Sequence, residues 1–132
     1  MYGLPATLQG QFDEALQRVV DALKAEGFVV LSDIDIAKAM KVMLGAEMPP
    51  YRILGACNPP LAHRALQADP DIGLLLPCNV TVRQGRGDEV IVGFLDPETM
   101  VSLTGNPAVR AVADDAEARL HRGQDALGAA AR

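Results

Sequence analysis

The chain has 132 residues, a formal net charge of −5, 49 % hydrophobic residues and 22 % charged ones. That balance describes one globular domain with a real core, and it excludes a disordered chain and a broad basic face for nucleic acid. Aromatic residues are only 4 % with no Trp, so stacking platforms for bases or sugars are missing.

The first run, Tyr2 to Leu8, reads as an edge strand, because Pro5 argues against a central position. From Gln11 the period changes: Phe12, Ala15, Leu16, Val19, Ala22 and Leu23 recur at helical spacing, and Gly27 sits where a left-handed residue ends a helix. Phe28-Val29-Val30-Leu31 predicts a buried strand. Ser32, Asp33 and Asp35 are candidate caps of a second helix whose apolar face carries Ala37, Met40, Met43 and Leu44, closed by Gly45. Pro49 and Pro50 make a connector, and Tyr51 to Cys57 reads as a strand.

Asn58-Pro59-Pro60 is the clearest local signal: a strong cap followed by prolines favoured in a first helical turn. A helix is predicted from Pro59 to about Gln67, ended by Asp69-Pro70. Leu74 to Arg83 and Glu89 to Leu95 are β runs joined by the glycine-rich loop Gln84-Gly85-Arg86-Gly87-Asp88. Asp96-Pro97 and Asn106-Pro107 each open a further helix. The last of these buries Val109, Val112, Ala116 and Leu120 and frays over 123–132. The expected whole is one α+β domain over residues 1–132, with a sheet of about five strands packed against helices.

No apolar run approaches the roughly 20 residues that cross a bilayer, so no membrane partner is expected. The opening Met1-Tyr2-Gly3-Leu4-Pro5 lacks the pattern of a secretory signal, and two cysteines in such a chain point to a reducing, cytoplasmic setting. There they are packing residues, metal ligands or redox groups. Cys57 precedes the capping Asn58, and the positive end of a helix favours a thiolate or an anion. Cys78 lies on the apolar face of its strand with Leu74, Leu76, Val80 and Val82. Both cysteines are followed by asparagine, Asn58 and Asn79, and neighbouring strands would bring the sulfurs together.

With His63 the two thiols make a three-ligand set for zinc or copper, although the close ligand pairs of strong zinc sequences are missing. His121, near the chain end, is a weaker candidate. Arg52 and Arg64 would add positive charge to an anion pocket, but Arg52 alternates onto the opposite strand face and surface solvation suits both. Asp33 and Asp35 are explained as caps. Arg86-Gly87-Asp88 is a chance adhesion tripeptide, and phosphate-loop, dinucleotide and nucleophile-elbow motifs are absent.

At Tyr51-Arg52-Ile53-Leu54-Gly55-Ala56-Cys57-Asn58-Pro59, and again at Ile72-Gly73-Leu74-Leu75-Leu76-Pro77-Cys78-Asn79-Val80, the chain resembles a bacterial and archaeal family known as domain of unknown function 302. Leu61-Ala62-His63-Arg64-Ala65-Leu66 and the turns at Asp96-Pro97 and Gly105-Asn106-Pro107 extend the resemblance over nearly the whole chain. It implies a mostly antiparallel sheet packed on helices, of the broad TATA-binding-protein-like type, and a homodimer. It implies no established activity. The family's cysteines fall on Cys57 and Cys78.

Three functions compete. The favoured one is a binding module that holds a small ligand, an anion or a soft metal between Cys57, Cys78, Asn58 and Asn79. The second is a thiol enzyme in sulfur or redox handling, with Cys57 as nucleophile and Cys78 as resolving thiol. The third is a structural or interaction protein whose cysteines only pack. No base, oxyanion donor or cofactor fingerprint compels the enzyme.

Overall fold

A computed structural model describes residues 3–130. Alternating apolar residues build five strands, each seven residues long: β1 (Gly3–Gln9), β2 (Val29–Asp35), β3 (Tyr51–Cys57), β4 (Cys78–Gln84) and β5 (Glu89–Leu95). They form one antiparallel sheet in the order β1-β5-β4-β3-β2, not closed into a barrel. Between and after them run α1 (Phe12–Ala25), α2 (Ile36–Leu44), α3 (Pro59–Ala68), a 3₁₀ helix (Pro70–Leu75), α4 (Glu98–Thr104) and α5 (Pro107–Ala130).

The period of two along the strands decides which face is covered. Val80 and Val82 of β4 and Val90, Val92 and Phe94 of β5 are buried, with Leu8 and Leu54 beside them. Ala15, Val19 and Leu23 of α1, together with Leu120 and Leu127 of α5, close this core from the helix side. A second, smaller core joins Leu61 and Ala65 of α3, Ile72, Met100 of α4, and Val109, Val112 and Ala116 of α5. The helical stripes read from sequence in α1 and α5 are therefore the faces that pack.

Several boundaries move. The second strand is an edge strand, not a buried one: Val29 and Leu31 are 48 % and 65 % exposed. It also runs on through Ser32 and Asp33, which therefore cap nothing. Asp35 is the cap of α2, accepting from the Lys38 N–H at 2.9 Å, while Asp33 pairs with Arg52 at 2.7 Å. The fourth strand begins at Cys78, four residues later than predicted, because Asp69 repeats the cap-then-proline device. Its carboxylate accepts from the Asp71 N–H at 3.1 Å and starts the 3₁₀ helix at Pro70. The last helix does not fray after Gly123; it continues to Ala130, with Leu127 buried against the main core.

The second half of α2 leaves its apolar residues uncovered, while Ile36, Ala37, Ala39 and Met40 are half-buried. None of its residues is buried, and Val42, Met43 and Leu44 are 75 %, 66 % and 75 % exposed. The helix is formed by its cap at one end and Gly45 at the other, where φ is +66° and a side chain would strain the backbone.

Candidate functional site

The seam between the two cores is a cavity of about 270 Å³. Phe28 and Ala56 border it from the sheet side, Leu61 and Ala65 from α3, Met100 from α4, and Val112 and Ala116 from α5. Cys57 and Cys78 both line it, because register places Cys78 directly opposite Ala56, the neighbour of Cys57. Asn58 lines it as well and is the one buried polar residue among the described residues.

Asn58 is held by the turn that ends α1. Its side-chain oxygen accepts from the Leu61 N–H at 3.4 Å, and its amide donates to the Glu26 carbonyl at 3.5 Å. Arg119 donates to the same carbonyl at 3.0 Å, so α1, α3 and α5 meet at one backbone oxygen. Gly27 turns the chain there with φ of +84°; a β-carbon would come within 3.1 Å of the Asn58 amide. Both Asn58 bonds are long, and both of its polar atoms keep further bonding capacity.

The start of α3 does not behave as a generic helix end. Pro59 and Pro60 bring no N–H, the Leu61 N–H is taken by the Asn58 side chain, and the Ala62 N–H donates to the Asn58 carbonyl at 2.8 Å. Positions 59–62 thus offer no free amide to an anion or a thiolate. No charged side chain lines the cavity. Burial accordingly pushes the Cys57 thiol up, and it pushes Cys78 up to about 11, with the neighbouring Cys57 adding to the effect. The prolines that make the helix legible also leave its first turn without free N–H groups toward the cavity.

The other predicted site residues scatter. His63 is exposed on α3 and is not among the lining residues, and it joins neither cysteine in a ligand cluster. Its helical position points it away from the seam that Leu61 and Ala65 face. Asn79 is exposed on β4, one residue out of phase with Cys78, and borders other depressions, one of which shares Leu76, Pro77 and Met100 with the cavity. Arg52 pairs with Asp33 and Asp35 on the β2–β3 edge, Arg64 is exposed, and His121 contacts Glu117 on α5. Reading the sequence missed Phe28 and Met100, whose part in the cavity comes from tertiary packing and carries no local signal.

One ligand-like cluster exists among the described residues: Glu98, Asp114 and Glu117, with oxygens within 4.8 Å of one another. It joins α4 to α5 outside the cavity. Hydrogen bonds shared first with Asp114 and then with Glu117 push Glu98 up to about 7. No helix among the described residues is long and apolar enough to cross a membrane.

Comparison with known proteins fits this architecture. No curated protein matches the chain. The crystal structure of an uncharacterized conserved protein DUF302 from Bacillus stearothermophilus matches with a TM-score of 0.87 at 30 % identity, covering 96 % of this chain and 98 % of that one. The family described as "Domain of unknown function DUF302" matches residues 5–127. That span takes in both cysteine strands and all but the outermost residues of the sheet and helices, and the chain belongs to the DUF302 family.

Proposed function

We propose that the protein is a binding module for a small ligand, which sits in the seam between Cys57, Cys78 and Asn58. One observation carries the reading: both thiols and the buried asparagine line the same cavity of about 270 Å³. A cavity lined mainly by apolar groups with few polar ones is the usual form of a small-molecule site. The raised thiols weigh against the nucleophile reading, since the thiolate is the reactive form, and no basic side chain lines the cavity to take the proton.

A soft cation is the second reading, favoured by two thiols on one cavity. Thiolates suit copper(I) or zinc better than hard cations. Such a cation would have to displace both protons, so its uptake would rise with pH. His63 would not serve as third ligand, and neither Asn79 nor an anion belongs to the site.

The exposed apolar side of α2 and the open edge of β2 support a homodimer through that region, because an edge strand leaves a row of backbone groups unpaired. Native mass spectrometry of protein purified without chelator tests the ligand reading. A bound mass, lost in Cys57→Ala or Cys78→Ala while the fold is kept, supports it. A chain that flies bare and takes up neither small molecules nor metal overturns it, and stability loss alone in the variants returns the cysteines to packing.

A further inference from the structure

We propose that the occupant of this cavity is a neutral, largely apolar molecule about the size of two fused rings, carrying one hydroxyl or carbonyl that meets Asn58. The proposal rests on the cavity being the binding site and specifies what the site selects.

Three features of the lining converge. None of its fifteen residues is charged, and Asn58 alone among them has a side-chain nitrogen or oxygen. An ion would therefore lose its hydration without a countercharge in return. Second, the amides of positions 59–62 are absent or already bonded, so the helix start cannot replace that hydration for an anion. Third, burial holds both thiols protonated, so they present neutral, polarizable sulfur beside the Met100 thioether. Sulfur of this kind packs well against the edges of aromatic rings.

Size sets the next limit. An aliphatic cavity of roughly 150 Å³ accepts benzene. The seam has about 270 Å³, room for a second ring. Its rim is apolar too: Leu31 and Leu66, both lining residues, are 65 % and 40 % exposed. Asn58 can orient the guest, since its oxygen and its amide each hold one long bond and each can make another. A single polar group on the ligand satisfies it; a carboxylate would bring a charge that nothing there balances.

The test compares 1-naphthol with 1-naphthalenesulfonate, which has the same rings and a fixed charge, beside inorganic phosphate and zinc ions. Calorimetric titration at several temperatures of the intact protein is expected to give one naphthol site per chain, at least about tenfold tighter than the sulfonate, with a negative heat-capacity change. Naphthol should also slow alkylation of Cys57 by N-ethylmaleimide, which places it in the seam without any variant. Ala62→Phe, which fills the cavity from α3, should remove binding while circular dichroism stays unchanged; should that variant unfold, the alkylation result decides. Equal or tighter sulfonate binding overturns the proposal, as does naphthol that leaves Cys57 reactivity untouched. Phosphate or zinc binding at the cysteines without naphthol overturns the proposal and leaves the pocket reading standing. Binding of none of the four removes both.

Discussion

Raising the pH from 8.5 to 10.5 should weaken the fold through Cys78. Burial, with the Cys57 charge second, pushes this thiol from 9.0 up to about 11. The folded protein keeps the proton where the unfolded chain has released it. The group's contribution is intact below pH 9 and is lost as the pH climbs toward 11. That difference is worth about 3 kcal/mol, of which ~2 kcal/mol is gone by pH 10.5. Lysines and tyrosines titrate in the same range, so the measurement must be a difference. Urea unfolding of the native protein and of Cys78→Ala, each at pH 8.5 and 10.5, isolates it. The variant should start ~1 kcal/mol less stable, because the missing sulfur leaves a small void. The native protein should then lose ~2 kcal/mol more than the variant across the pH step. Equal losses would refute the reasoning, and so would ultraviolet thiolate absorbance showing Cys78 ionised below pH 9.

Asn58→Ala should lower stability by about 1–2 kcal/mol in urea unfolding, as a lost helix cap does; no change would mean that the long bonds at 3.4 and 3.5 Å hold nothing. Gly55→Ala should cost about 1–3 kcal/mol, since its β-carbon would press on the Ser32 hydroxyl and come within 2.8 Å of Pro77; an unchanged thermal midpoint would show that the Pro77 loop yields freely. Glu98→Gln should flatten the pH dependence of the melting temperature. The native carboxyl, raised to about 7, favours the folded state below its ordinary range near 4.5 and loses that contribution as the pH rises through 7, so matching profiles for the two proteins would dismiss the shared proton. Val42→Glu with Leu44→Glu should convert a dimer into a monomer in sedimentation velocity while leaving circular dichroism unchanged, and a persisting dimer would move the interface off α2.

What the sequence disclosed depended on whether its signal was local. The cap-then-proline pairs at Asn58, Asp96 and Asn106 name their helices correctly, because capping is decided within a few residues. The same device at Asp69 both ends α3 and starts the 3₁₀ helix at Pro70, and this delays β4 to Cys78. The exposure of β2 is not a local property: Val29 to Leu31 has the composition of an inner strand, and only the sheet order puts it at an edge. That β3 and β4 are neighbours is a matter of sheet order, and it sets Cys78 opposite Ala56, the residue before Cys57. The surroundings of Cys57 are legible locally, since the two prolines are missing N–H groups as well as helix starters. Phe28 and Met100 had no such signal, because their place in the cavity depends on how two cores abut.

The position of β1 sets an order on assembly. Gly3 pairs with Leu95 and Gln9 with Glu89, so among the described residues β1 has its sheet neighbour far along the chain, after β2, β3 and β4. A nascent chain that stops before Glu89 carries this strand without a mate, whereas β3 and β4 can already zip together. Closing so long a loop is entropically slow, and topologies of this kind fold later than hairpins. In pulse-labelled hydrogen exchange, amides of β4 should gain protection before those of β1; simultaneous protection would mean that the strand is captured by α1 before its partner arrives.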